Sequence, residues 1–221
     1  MPDVEAVLVV DADTVVSANL LDACAVRLEA GAEAIQVHYG VLNAFDSWRS
    51  RLMAIAMAAF HQVRSIARSR LGVSCGIRGN GWCLRRDVLV RVPYRSYSLA
   101  EDIEYGIELG LHGIGVQYAA DATVYGEMVS DERSAATQRQ RWEHGHLGMI
   151  ASRLGPLLAT AIRKRDIQLF ALALALTATG LPTPGPANAA KPKLKAFTGC
   201  EQLVAYATAR EGRYSGFLYP T

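Results

Sequence analysis

Ala6-Val7-Leu8-Val9-Val10-Asp11-Ala12-Asp13 opens with five apolar residues in a row and closes on two carboxylates separated by one residue. A continuous apolar run, rather than an alternating one, reads as a strand covered on both faces, which is the habit of a buried parallel strand. Ligands collect beyond the carboxyl ends of such strands, where Asp11 and Asp13 stand. Outward from there, residues 17–30 carry helical spacing (Leu20, Leu21, Cys24, Leu28) that stops at Gly31, and residues 34–41 return to strand character. Strand, helix and strand make one βαβ unit and set the class as α/β.

Further along, Trp48, Leu52, Ile55, Ala59, Val63 and Ile66 recur at helical spacing over residues 46–71, with Arg49, Arg64, Arg68 and Arg70 off that stripe. This predicts one long amphipathic helix, and its apolar side fits either the core or a membrane surface. Residues 73–87 hold Gly76, Gly79 and Gly81 around short apolar stretches, as expected of tight backbone near a ligand or a bulge. Residues 98–111 read as a helix, 113–124 as a strand, and 131–153 as a helix whose first turn is acidic. Residues 169–181 are strongly apolar behind Arg163-Lys164-Arg165, like the start of a membrane helix with a positive flank, yet too short to span. Pro182, Pro184 and Pro186 end that segment, and residues 183–221 have no clear period and read as a weakly ordered tail.

The totals exclude some classes. The chain has 221 residues, 51% of them apolar, so it buries a real core and is not a disordered polypeptide. Its net charge of +2 gives no reason to expect nucleic acid as a partner. Cys24, Cys75, Cys83 and Cys200 form no Cys-x-x-Cys pair, so reduced, cytoplasm-facing chemistry is expected. The first residues, Met-Pro-Asp-Val-Glu-Ala, show no basic stretch followed by an apolar one, and no signal peptide is expected.

Four clusters carry chemistry. Asp11 and Asp13 can reach one hard cation from the exposed end of the sheet, although Asp13 would equally serve as a helix cap. Gly79-Asn80-Gly81-Trp82 sets a polar side chain between two residues that permit close backbone approach, a pattern shared by acceptor sites and ordinary turns. Ser98 and Glu101 have capping-box spacing, which leaves Asp102 available as a general base or as one more acidic residue at a helix start. Gln138, Arg141 and Trp142 share one helical face, where guanidinium suits phosphate and indole suits a sugar ring; a solvated basic helix anchored by its tryptophan fits the same pattern. His144 and His146, two apart on a helix, face different ways and are assigned no metal.

Taken in order, Asp-x-Asp after a strand, Gly-x-Gly-Trp, Glu-Asp on a helix and Gln-x-x-Arg-Trp on a later helix resemble the family 2 glycosyltransferases of GT-A type. The likeness is to the membrane-embedded polysaccharide synthases similar to cellulose and hyaluronan synthases, and it covers about residues 4–155. It implies a Rossmann-like sheet flanked by helices, here a partial GT-A catalytic domain over residues 1–155, followed by an apolar helix over 156–182. It implies an inverting transfer from a nucleotide-diphosphate sugar, a UDP-sugar for choice, to a saccharide acceptor in polysaccharide synthesis. Asp11 and Asp13 would hold the donor diphosphate and its Mg²⁺ or Mn²⁺, with Asp13 the direct ligand, and Asp102 would be the base. Gln138 and Arg141 would face the diphosphate, Trp142 the acceptor mouth, and Gly79, Asn80, Gly81 and Trp82 the acceptor floor. The resemblance places such a protein at a bacterial-type inner membrane with its catalytic part facing the cytoplasm.

Two other readings remain open on the residues. The sequence Asp11-Ala-Asp13-Thr14 after a strand also matches the first motif of haloacid-dehalogenase-like phosphatases, but no lysine precedes Lys164 to serve their later acidic pair. The metal motif also begins so early that the nucleobase-holding part of the family pattern is missing, which suggests a catalytically incomplete fragment.

Overall fold

In the computed structural model, the described residues are 4–96, 98, 100–128, 132–178, 202–210 and 213–220, with backbone alone described over 132–143 and the last two stretches. The first unit comprises β1 (Ala6–Asp11), β2 (Val15–Val16), α1 (Leu20–Glu29) and β3 (Ala34–Val41). Next come α2 (Trp48–Met57), a π-helical segment (Ala58–Val63) and α3 (Arg64–Arg70), then β4 (Trp82–Arg85) with α4 (Arg86–Arg91). The chain continues through α5 (Glu101–Leu111), β5 (Val116–Gly126), α6 (Glu132–Lys164) and α7 (Ile167–Ala178) to β6 (Gln202–Arg210) and β7 (Arg213–Pro220).

These strands form one mixed sheet in the order β2-β5-β3-β4-β1-β6-β7. β3 and β5 pair in parallel, whereas β4 lies antiparallel between β1 and β3. The expectation of β1 as a parallel strand is therefore corrected: its neighbours β4 and β6 both run against it. The βαβ unit keeps its parallel sense, because β1 and β3 both run against the inserted β4 and so point the same way. A mixed sheet with helices on both faces is consistent with a GT-A-like nucleotide-sugar transferase fold.

The apolar run of β1 is explained by two covered faces. Ala6, Leu8 and Val10 pack with Leu20 and Cys24 of α1 and with Ile35 and Val37 of β3. Val9 turns the other way, to Trp82, Leu84, Val88, Tyr105 and Leu109. A third apolar cluster joins α5 to the long helices through Ile107, Met149, Leu157, Leu169, Leu172 and Leu176. Arg153 fixes the same junction by pairing with Glu104 at 2.6 Å and Glu108 at 3.5 Å, which ties α6 to the helix that begins beside Asp102.

Three segments differ from the sequence expectation. The helix expected over residues 46–71 forms, interrupted by the π-helical segment, but its apolar stripe faces outward: Trp48, Leu52, Ile55 and Val63 are exposed, and only Ile66 packs against the core. The helix after β5 continues through Pro156 to Lys164, and the apolar run that follows is α7, capped by Asp166 Oδ1, which accepts from Gln168 N at 2.8 Å. Among the described residues no helix is long and apolar enough to cross a membrane. In the segment expected to be a tail, β6 and β7 form a hairpin that extends the sheet beyond β1.

Candidate active site

The site lies at the carboxyl end of β1. Asp11 ends the strand, a turn follows in which Thr14 N donates to Asp11 O at 3.2 Å, and Asp11 and Asp13 are both exposed. Partial burial, followed by the charges of Asp13 and Asp102, pushes the Asp11 carboxyl above its ordinary value. The charges of Asp13 and Asp102 thus reach Asp11 at this rim, and among the described residues neither Asp11 nor Asp13 has an ion-pair partner.

That arrangement suits a cation. Among the described residues no three His, Cys, Asp or Glu side chains gather as a self-sufficient metal site. A magnesium-type ion shared with a diphosphate does not need one, since one or two carboxylates plus phosphate oxygens complete its shell. His146 is engaged elsewhere, its Nε2 lying 2.8 Å from Leu176 O.

Asp102 sits in the first turn of α5, and its Oδ2 accepts from Gly79 N. The backbone of the glycine loop thereby fixes the carboxylate's position through Oδ2 alone among the described contacts. The expected Ser98 and Glu101 cap is corrected: α5 begins at Glu101 with Ala100 in the cap position and no side-chain cap bond, and Ser98 Oγ accepts instead from Ala100 N at 3.3 Å.

The glycine loop divides its labour differently from the expected acceptor floor. Only Gly79 is exposed beside the carboxylates. Asn80 is 1% exposed; its Oδ1 accepts from Asp11 N at 3.0 Å and its Nδ2 donates to Thr14 Oγ1, so it locks the metal-side turn to the loop. Gly81 has φ +77°, and a Cβ there would come within 2.6 Å of methyls of Val37 and Val124, so close packing requires the glycine. Trp82 is 4% exposed and its ring stacks on Tyr94 at 5.9 Å. As acceptor-facing groups Asn80, Gly81 and Trp82 are thus corrected: their surfaces and hydrogen bonds are already used inside the protein.

Two residues essential to this geometry escaped the sequence reading. Gln36, 1% exposed in β3, accepts from Arg78 N at 2.9 Å through Oε1 and donates through Nε2 to Asn80 O at 2.9 Å and Gly81 O at 3.1 Å. It clamps both ends of the loop, and an amide within the otherwise apolar Ala34-Ile35-Gln36-Val37 was the available signal. Tyr39 lies under the rim, edge-on to His61 at 5.6 Å, and burial together with Asp11 and Asp13 pushes its phenol up to about 12, so it stays neutral. Gln138, Arg141 and Trp142 fall on α6, but their side chains lie outside the described residues.

A strand-end carboxylate pair, a helix-start carboxylate, a buried amide and a glycine loop thus meet at one end of a mixed α/β sheet. The chain belongs to the glycosyl transferase family group 2, whose family model matches residues 6–198. It is a glycosyltransferase by family, with a nucleotide-sugar donor and an acceptor as its general substrates, and the phosphatase reading is set aside. No curated protein matches the chain.

Proposed function

We propose that this chain performs an inverting transfer of a sugar from a nucleoside-diphosphate donor, UDP-sugar for choice, to a saccharide acceptor in polysaccharide synthesis. The reading rests on one observation: Asp13 and Asp102 lie close enough to Asp11 at the end of β1 for their charges to act on it, while Gly79 N holds Asp102 in place.

Asp102 would take the acceptor hydroxyl proton through Oδ1 as that oxygen attacks the anomeric carbon and the bond to the diphosphate breaks in line. Asp13, with Asp11, would hold Mg²⁺ or Mn²⁺ against the donor diphosphate, and Arg141 and Gln138 would approach the same phosphates from α6. The ion supplies positive charge that offsets the charge gathering on the leaving group. Asn80 keeps the Asp11–Thr14 turn and the Gly79 loop in register, which holds base and donor at a fixed separation. Trp142 is the remaining aromatic candidate for the acceptor mouth, since Trp82 is in the core. The transfer would take place at the cytoplasmic face of a bacterial-type inner membrane.

The test is a screen of nucleotide sugars with Mn²⁺ and oligosaccharide acceptors, comparing the wild type with Asp102→Asn. Transfer should vanish in the variant while donor binding, read by calorimetry, stays nearly intact. Loss of donor binding with Asp102→Asn would remove the base assignment.

A further inference from the structure

Arg64, Arg68 and Arg78 gather in a part of the molecule that supplies no counter-charge. Residues 47–86 contain no Asp or Glu. The three side chains are half-buried, and among the described residues none of them forms an ion pair. Their charges all reach the buried Cys75 thiol, yet burial pushes that thiol up to about 12, so it stays neutral. Burial, followed by the charges of Arg78 and Arg68, pulls Arg64 down to about 9, and burial pulls Arg78 down to about 10. Both remain charged at neutral pH.

The backbone takes up only part of their hydrogen-bonding capacity. Arg64 donates through Nη2 to Ala175 O at 2.7 Å, and Arg68 donates through Nε to Ser74 O at 2.7 Å and through Nη1 to Ala171 O at 3.0 Å. A nitrogen on each arginine is left over: Arg64 Nη1, Arg68 Nη2 and Arg78 Nε are buried without a hydrogen-bond partner among the described residues. Buried donors are nearly always satisfied, and buried charges are paired. Three orphaned guanidinium nitrogens around one thiol therefore call for an anion that arrives with a ligand.

A place for it lies beside Arg78. A cavity of about 30 Å³ is lined there by Cys75, Ile103, Gly106, His146 and Ala175, and Arg64 reaches its wall through the bond to Ala175 O. That volume holds about two water-sized oxygens, which matches a carboxylate better than the four oxygens of a phosphate. Ile103 and Gly106 stand one and four residues after Asp102 on α5, so the cavity runs along α5 from the turn that carries the proposed base. The charge of Asp102 reaches Arg78, whose own backbone is pinned by Gln36 Oε1 and leads directly into Gly79 at the exposed rim. A sugar with its carboxylate in the cavity would keep its ring at that rim, hydroxyls toward Asp102. The planar guanidinium fork suits a carboxylate in particular.

We propose that Arg64, Arg68 and Arg78 form a carboxylate site beneath Asp102 and that the acceptor is an acidic saccharide, one that carries a carboxylate. This rests on the transfer proposed above and names the acceptor's chemical class. Binding is measured without donor or metal, so absence of binding overturns this site alone, and absence of transfer in the nucleotide-sugar screen bears only on the transferase reading.

The experiment is calorimetry and thermal unfolding of the full chain in EDTA at matched ionic strength, with glucuronate, glucose, glucose 6-phosphate and acetate as probes. Glucuronate should bind and raise the thermal midpoint of the wild type, and glucose should do neither. Arg78→Gln and Arg64→Gln should each weaken glucuronate binding by about tenfold or more, because a hydrogen bond to a charged group is lost. Arg51→Gln, which removes an exposed arginine, should bind as the wild type does. If a glutamine variant unfolds, Arg78→Lys takes its place: it keeps the charge, loses the fork and should still weaken binding severalfold. The proposal is overturned if the wild type does not distinguish glucuronate from glucose, if Arg78→Gln binds glucuronate undiminished, or if Arg51→Gln loses as much. It is equally overturned if glucose 6-phosphate binds more tightly than glucuronate, or if acetate binds as tightly, which would give the site to a phosphate or to a free carboxylate.

Discussion

The Asp11–Asp13 turn and the Gly79–Trp82 loop meet at the same rim, yet they use their side chains in opposite ways. The first presents exposed carboxylates with no ion-pair partner among the described residues. The second is exposed at Gly79 alone and spends Asn80, Gly81 and Trp82 on the protein interior. Residues that meet substrate keep unused charge or hydrogen-bonding capacity, and residues that position them have none left. Substitutions in the two segments should therefore separate: the first set should remove function from a stable fold, the second should cost stability.

The largest effect should come from Asp102→Asn. It keeps an acceptor oxygen for Gly79 N while removing the base, so turnover should fall by about 10²- to 10⁴-fold with an unchanged thermal midpoint. Trp82→Ala should destabilise the fold by about 3–5 kcal/mol in urea titrations, since it empties a site shared with Tyr94 and Tyr105. A stable Trp82→Ala protein with weakened acceptor binding would break the comparison by returning Trp82 to the site. Gln36→Leu leaves Arg78 N and the carbonyls of Asn80 and Gly81 without their side-chain partner, and should cost about 1–3 kcal/mol.

The last effect is one of pH. Burial, then the charges of Arg78, His38 and Arg64, push His61 down to about 3. The unfolded chain therefore binds this proton first. The stability that the neutral ring contributes is complete above the ordinary value near 6.5 and is lost as pH falls from there toward 3. Thermal midpoints of His61→Phe should accordingly fall less than those of the wild type between neutral and acid pH.

Much of the carboxylate half of the site was legible. A five-residue apolar run ending in Asp can be read because burial on both faces leaves a composition signal, and α1 and β3 followed from spacing alone. The insertion of β4 between β1 and β3 was not legible, because four residues after a glycine-rich stretch carry too little periodicity to announce a strand. Helical periodicity over residues 48–71 correctly grouped one face but could not say which way that face turns. Only the inward bonds of Arg64 and Arg68 reveal the inversion. Asn80 and Trp82 looked like ligand groups because a buried amide and a buried indole have the same letters as exposed ones. Partners distant in sequence, Asp11 and Thr14 for Asn80 and Tyr94 and Tyr105 for Trp82, decide their roles.

The central claim is that the exposed carboxylates of β1 hold a divalent cation against a nucleoside diphosphate, with Asp102 reserved for the acceptor. It is tested most directly by calorimetric titration of UDP, GDP, ADP and dTDP in Mn²⁺ into the wild type, Asp13→Asn and Asp102→Asn. Mn²⁺ binding should also weaken as the solution is acidified, because a protonated carboxyl no longer ligates the ion. The account predicts that Asp13→Asn abolishes Mn²⁺-dependent binding of the preferred nucleotide while Asp102→Asn binds it nearly as the wild type does. Undiminished Mn²⁺-dependent binding by Asp13→Asn, or its loss in Asp102→Asn alone, would contradict it.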